Sequence, residues 1–286
     1  LISNRAKGAF SLSIKKAAVR DINKKRIENA PSDLFTTDWQ EVVNHPEVDI
    51  VVELIGGTDT AFDIVAAALK LKKPVVTGNK ALLAERGKEL FALSREYDTP
   101  IHFEAAVAGG IPVIKAVQDS YVGNRIETMS GIINGTSNYI LERMTTAGLD
   151  YQTALKEAQG LGYAEADPAL DVNGWDAAHK AILLATLAYG FTIPPEEVYV
   201  RGIERVRTID IDFATKLGYA VKLLSVVREH ADGSVEIRTQ PSFIAQSHIL
   251  SSVNGVFNAV AVTTAFAGDG MLLLYYIQMI GQPLLH

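Results

Sequence analysis

The chain contains no cysteine in 286 residues. That excludes a disulfide scaffold, thiolate metal sites and a cysteine nucleophile, and it fits a cytoplasmic setting. No uninterrupted apolar run approaches the roughly 20 residues of a membrane span, and the first residues lack a signal-peptide pattern, so no membrane partner is expected. Basic residues are the minority, 27 against 33 acidic, and they are scattered instead of forming a dense run, which argues against nucleic acid as a partner. There is no internal repeat, no low-complexity tract and no G-x-G-x-x-G turn after a first strand. An initial methionine is also missing, and Leu1 falls inside a helix-like segment. The expectation is a piece of a longer protein whose first strand and glycine turn lie upstream. What is present, 48% hydrophobic residues over this length, suffices for one large or two ordinary domains, and the ligand is expected to be small.

The first third alternates short apolar runs with helical stretches. Strands are predicted over residues 12–19, 48–54, 74–77 and 101–104, with helices over 61–71 and 82–97 between the later ones. That alternation predicts a parallel, doubly wound sheet. Ligands of such sheets sit at the carboxyl ends of the strands, which here carry Arg20-Asp21, Gly56-Gly57-Thr58, Gly78-Asn79-Lys80 and the loop from Glu104 to Gly110. After Gly110 the character changes. Residues 126–133 alternate loosely, Asn134-Gly135-Thr136-Ser137-Asn138 open a helix over 139–146, and strand-like runs at 216–227, 235–239 and 256–262 predict a second, mixed α+β domain. The Asn134–Asn138 segment offers amides and hydroxyls suited to a carboxylate or phosphate. Its plain alternative is a turn and cap.

The chemistry concentrates in residues 160–180. Glu165, Asp167 and Asp171 lie in a lead-in broken by glycine and proline, and Asp176 and Lys180 follow four residues apart, on one face of a helix. Asn173 or Asp171 can cap that helix, its alanines and leucines favour it, and Gly190 and Pro194 stop it. Beyond Lys180 the helix is uncharged to Tyr189, which implies burial. A lysine at the mouth of a buried helix must find a carboxylate or lose its proton, which is how a proton donor is made. The bland alternative is a solvated i,i+4 pair worth roughly 0.3–0.5 kcal/mol.

Taken together, Val76-Thr77-Gly78-Asn79-Lys80, the run from Glu104 to Pro112, the run from Gly131 to Leu141 and the stretch from Gly162 to Lys180 resemble homoserine dehydrogenase, in order and spacing, over roughly residues 12–260. The resemblance implies a Rossmann-type nucleotide domain over residues 1–110, to which residues 263–286 return, and a substrate and dimerisation domain over 111–262, in a homodimer or homotetramer. It implies NAD(P)-dependent interconversion of L-homoserine and L-aspartate 4-semialdehyde in threonine and methionine biosynthesis. By position Lys180 looks like the family's proton donor, and Glu165 and Asp176 like its homoserine ligands. Lys80 matches a lysine at the cofactor and reaction centre, Gly162 a cofactor contact, and Glu104, Val107, Gly109 and Ile111 a sodium site built largely from carbonyl oxygens, donors hard enough for an alkali cation.

Physical chemistry supports those roles. Reducing the aldehyde needs hydride at carbon and a proton at oxygen, and a cationic lysine stabilises the developing alkoxide while donating that proton. Glu165 or Asp171, with Asp176, can take the substrate ammonium, and the Asn134, Gly135 and Thr136 amides and hydroxyl its carboxylate. Arg20 is placed for an NADP 2′-phosphate, with Lys24, Lys25 and Arg26 as helpers or as plain surface charge. Two departures stand out: the upstream glycine turn, and a Gly-rich cofactor segment that does not follow Leu272–Tyr276. Other readings from the same residues are a Schiff-base lyase or aldolase using Lys80 or Lys180 as nucleophile, and a non-catalytic nucleotide sensor.

Overall fold

The structure is a computed structural model that describes residues 12–24, 31 and 33–266. Lys25, Arg26 and the segment 267–286, to which cofactor roles were assigned above, lie outside the described residues. The chain divides into two compact units. One runs to Thr77 and takes in Glu89–His102, while the other takes in Gly78–Lys88 and the chain from Phe103 onward. Among the described residues no helix is long and apolar enough to cross a membrane.

Every strand of the first unit is parallel to its neighbour. β1 (Ala17–Ala18) pairs with β2 (Phe35–Thr36), and β3 (Val51–Glu53), β4 (Val75–Thr77) and β5 (Ile101–His102) form a second sheet in that order. Parallel strands need crossovers, and helix α1 (Trp39–Val43), α2 (Asp59–Lys70) and α3 (Lys80–Glu96) supply them. In α2 the buried residues Ala61, Ile64, Val65, Ala68 and Leu69 recur at helical spacing, so one face is apolar. The strand predicted over 12–19 is shorter than expected. The ladder pairs Ala17 with Phe35 and Ala18 with Thr36, while Lys15 and Lys16 turn to Glu47 and Glu41. Glu53, almost fully buried, accepts from Ile55 N at 2.8 Å and from Thr77 Oγ1 at 2.6 Å, tying the ends of β3 and β4 together. Gly56 and Gly57 follow at once with φ of +72° and +74°, a turn few other residues could make.

The second unit is built on a five-stranded sheet ordered β10-β6-β8-β9-β7, antiparallel except where β7 meets β9. The strands are β6 (Ile126–Ile132), β7 (Tyr199–Val200), β8 (Tyr219–Glu229), β9 (Val235–Ala245) and β10 (Ala259–Thr264). β9 outruns the predicted 235–239 and runs through Pro241, which it tolerates because β7 pairs only at Arg238 and Thr239 and asks no donor of that residue. The run predicted as strand from 216 instead begins as the end of a helix, α9 in the numbering below, and turns at Gly218, whose φ is +81°.

The helices of this unit are α4 (Val113–Lys115), α5 (Gly135–Thr146), α6 (Tyr151–Gly160), α7 (Ala169–Val172), α8 (Trp175–Tyr189) and α9 (Thr208–Lys216). α8 lies on β8 and β9 and buries Ala177, Ala178, Ala181, Ile182, Leu183 and Leu184. The N-cap is Gly174, at φ +89° and with no side-chain cap; of the two expected candidates Asn173, one residue before it, takes up the first helical amide, its Oδ1 accepting from Trp175 N at 3.0 Å. Gly190, at φ +76°, ends the helix where expected.

The joint between α7 and α8 is wedged against the segment after β7. Ile203 N donates to Val172 O at 2.8 Å, and a Cβ on Gly202 would stand 2.2 Å from that carbonyl and 2.5 Å from Asn173 Cα. Backbone cannot yield as a flexible side chain would. Gly202→Ala is therefore expected to lower the melting temperature by about 5 °C or more, whereas Gly123→Ala, which meets nothing within 4 Å, should leave it nearly unchanged. A thermal melt of both variants checks this.

Candidate active site

β6 ends at Ile132, and the next two residues supply the centre of the site. Ile133 presents its carbonyl, and Asn134 caps α5 by accepting from Ser137 N at 2.8 Å. Lys180, on the second turn of α8, donates to Ile133 O and to Asp176 Oδ2, each at 2.7 Å. The other oxygen of Asp176 lies 2.9 Å from Lys80 Nζ, at the start of α3. Asp176 thus joins two lysines from different helices, and with a relative exposure of 7% it does so out of water. The i,i+4 pair is therefore no solvated surface pair.

Charge states follow from this arrangement. Burial opposes ionisation of Asp176, but Lys180 and Lys80 outweigh it and hold the carboxyl well below its ordinary value. Burial likewise opposes the charge on Lys80. Asp176, Asp171 and Glu165 together overcome that and leave its pKa raised. Asp171 goes the other way: burial first and then the nearby Asp176 push its carboxyl up, partly countered by Asn134.

Asn134 Nδ2 donates to Asp171 Oδ1 at 2.7 Å and to Asp176 Oδ2 at 2.8 Å. This side chain was expected to face a substrate carboxylate. It faces two protein carboxylates instead. Thr136 has also spent its hydroxyl proton, on Tyr163 O at 2.6 Å, which leaves backbone amides at Gly135 and Thr136 as the donors of that segment. Ser137 Oγ donates to Asp171 O at 2.8 Å, so α5 holds the acidic lead-in at both its main chain and its side chain. Glu165 is exposed, and its field reaches Lys80. Gly162, at φ +77°, closes α6, and the following Tyr163 N–H reaches back to Ala158 O at 2.8 Å.

His179 was not singled out from the sequence. It lies half-buried against Trp175, with ring centroids 5.6 Å apart, and burial pushes its pKa down. A histidine beside a charged lysine is the signal that could have drawn attention to it.

Glu104 opens a single 3₁₀ turn, and its two carboxylate oxygens accept from Ile114 N and Lys115 N at 3.0 Å each, at the start of α4. Glu104 therefore ties its own turn to the start of α4. Ile111 O accepts from Val113 N at 2.8 Å, and Ala108, at φ +46°, and Gly110, at φ +92°, bend the segment between. Each of these oxygens keeps a further lone pair, so the donor set remains chemically suited to a hard cation. Among the described residues no group of three or more His, Cys, Asp or Glu could hold a metal ion.

Arg20, Gly56 and Gly57 belong to the first unit. Arg20 is exposed two residues beyond β1, and the paired glycines stand open, since a Cβ on either would meet nothing within 4 Å. Two successive left-handed glycines at a strand's carboxyl end fit a nucleotide's close approach.

Known proteins resemble the chain along most of its length. Residues 112–281 match the family model described as homoserine dehydrogenase, and residues 2–104 the one described as homoserine dehydrogenase, NAD binding domain. The chain is 43% identical over 270 residues to the homoserine dehydrogenase of Synechocystis sp., covering 93% of this chain and 61% of that protein. Against that of Pseudomonas aeruginosa it is 46% identical over 242 residues, 85% of this chain and 55% of the relative. Among solved structures, a homoserine dehydrogenase from Thiobacillus denitrificans aligns with a TM-score of 0.83 at 43% identity, covering 88% of this chain and 57% of that one. A hyperthermophilic archaeal homoserine dehydrogenase in complex with NADPH aligns at 0.73 and 30%, covering 87% and 71%. The chain thus spans 55 to 61% of the length of these two curated relatives, and, with both family models matched in order along it, it belongs to the homoserine dehydrogenase family.

Proposed function

We propose that the protein interconverts L-homoserine and L-aspartate 4-semialdehyde with NADP or NAD, in threonine and methionine biosynthesis. The observation that carries this reading is the pairing of Lys180 and Lys80 on one buried carboxylate in a chain of this family. Residues 1–110 would serve the nucleotide and 111–262 the substrate and a dimer or tetramer contact, with residues 263–286 returning to the nucleotide part.

A bound nicotinamide would supply the hydride acceptor, held by Arg20, Gly56, Gly57, Lys80 and Gly162. The remaining chemistry falls to side chains. An ammonium has three N–H bonds, and Lys180 directs two of them to Asp176 and Ile133 O. The third is available to a substrate oxygen, for which Lys180 is the proton donor in reduction and the acceptor in oxidation. Asp176 holds that lysine in place. The substrate ammonium would be taken by Glu165, Asp171 and Asp176, and its carboxylate by the amides of Gly135 and Thr136.

Schiff-base chemistry needs the free amine, whereas both lysines are engaged in ion pairs with Asp176. A raised pKa at Lys80 argues against the lyase reading directly. Borohydride with an aldehyde substrate should leave no adduct detectable by mass spectrometry.

The central test is spectrophotometric. Homoserine with NADP should generate the reduced-nicotinamide absorbance, and Lys180→Ala should lower kcat by about a hundred- to ten-thousand-fold while homoserine binding is largely kept. A variant as active as the parent would remove Lys180 from the proton-transfer role.

Glu104 and the carbonyls of Val107, Gly109 and Ile111 are proposed to hold sodium. Glu104→Gln removes the charge and keeps an oxygen for one of the two α4 amides, while its nitrogen, a donor, would face the other. It should abolish any response of the rate to sodium, titrated against a bulky organic cation at constant ionic strength, at some cost in melting temperature that a thermal melt measures separately. An unchanged sodium response would leave Glu104 as a cap alone.

A further inference from the structure

We propose that Asn134 is a positioning residue, which clamps Asp171 and Asp176 into one ammonium-binding pair and thereby sets which oxygen of Asp176 serves each lysine. The proposal rests on the homoserine-binding reading of the same site.

Two carboxylates withdrawn from water repel each other, and a cation between them would be the usual remedy. The described ion pairs of both lysines, however, go to Asp176. What bridges Asp171 to Asp176 is the neutral amide of Asn134, through both hydrogens of one nitrogen, at 2.7 and 2.8 Å. The bridge cannot be reversed. Asn134 Oδ1 is committed to the Ser137 amide at 2.8 Å, and a flipped side chain would set oxygen against two carboxylates. Asn134 itself is almost fully buried.

The consequence reaches the lysines. Asp176 Oδ2 takes both Asn134 and Lys180, and Oδ1 takes Lys80. With Asn134 fixing the plane of that carboxylate, Lys180 is held by adjacent groups, the Ile133 carbonyl and the carboxylate that Asn134 orients. The end of β6 is a template for acid and ammonium site alike. The groups acting on Asp171 are Asn134 and Thr136 from α5 and Asp176 and Lys180 from α8, while Asp171 in turn acts on Lys80 at the start of α3. Removing the amide withdraws a donor that favours the charged form of Asp171. Its titration should then move to higher pH, and with it the acid limb of kcat/KM for homoserine.

The test must separate clamping from helix capping, and Asp and Ser do so because both cap helices well. Asn134→Asp keeps an acceptor for Ser137 N but has no N–H, and it adds a third carboxylate. Asn134→Ser keeps the acceptor and can donate to one carboxylate at most. In the intact protein each variant should raise the homoserine KM by about tenfold and shift the acid limb up by about one pH unit, with the cofactor KM unchanged. In parallel, the Asp171 titration, followed by NMR of protein carrying ¹³C-labelled aspartate, should rise by about one unit in Asn134→Ser. Asn134→Ser serves alone should the Asp variant not fold. A folded variant with the parent's Asp171 titration and homoserine KM overturns the clamp. A parent that does not oxidise homoserine, together with a shifted Asp171 titration in the variant, overturns the substrate reading and upholds the clamp.

Discussion

The site depends on one buried carboxylate. Asp176 is ionised where water is scarce only because two ammonium groups and an amide surround it, and each of them stays in place because Asp176 does. Interactions of this kind add little net stability relative to an apolar substitute, yet removing one partner leaves an uncompensated charge at a cost of about 3–5 kcal/mol. The arrangement is therefore better understood as a device for geometry than as a device for stability. It holds Lys80 and Lys180, from separate helices, at 2.9 and 2.7 Å from the two oxygens of one group.

Holding that carboxylate still is the work of the five-stranded sheet and its attachments. α8 rests on β8 and β9, Ser225 on β8 and Thr239 on β9 share a buried hydrogen bond of 2.8 Å, and Ser225 Oγ reaches Ala177 O at 3.4 Å. A second polar knot anchors α5 further along. Asn138 Nδ2 donates to the carbonyls of Val253, Gly255 and Phe257, while Lys222, buried in β8, donates to Asn138 Oδ1, Val253 O and Asn254 Oδ1. Burial pushes the pKa of Lys222 down to about 8, because these partners are neutral oxygens and the carboxylate of Glu142 acts on it only through space. With Asn134 at one position of the helix and Asn138 four residues on, α5 is fixed by both of its first turns.

Much of this was legible in the sequence, and for identifiable reasons. Alternating short strands and helices pointed to the parallel architecture, and 3.6-residue periodicity put Asp176 and Lys180 on one helical face; the spacing alone fitted a solvated pair equally, and it was the uncharged stretch after Lys180 that implied burial. The resemblance carried by Asn79-Lys80 and by Asn134-Gly135-Thr136 brought those segments to the same centre. What periodicity could not convey was where a side chain spends its hydrogen bonds. Asn134 looked like a ligand group and is a bridge, Thr136 has its proton engaged by Tyr163, and Glu104 spends both carboxylate oxygens on the amides of α4. Lys222 and Asn138 meet across 84 residues of chain, a separation at which local pattern carries no information. Pro241 sits within β9 at no cost, because β7 does not extend far enough to need its N–H.

The charge balance of the site bears on what it can select. Asp171, Asp176 and Glu165 act on Lys80, and Lys180 adds the second cation, so three carboxylates face two ammonium groups. A ligand that brings an ammonium completes this balance, whereas a simple alcohol or aldehyde leaves one carboxylate unmatched in a partly buried site, where unmatched charge is costly. Burial and Asp176 push Asp171 up, so Asp171 is the member of the set whose charge is least secure without that ammonium. Binding of an α-amino group and ionisation of Asp171 therefore favour each other. In the proposed reaction the amino end of the substrate would do more than anchor it: by favouring the charged state of Asp171 it would strengthen the negative field that Asp171 and Asp176 together exert on Lys80, which ties recognition at one end of a four-carbon substrate to charge at the reacting centre.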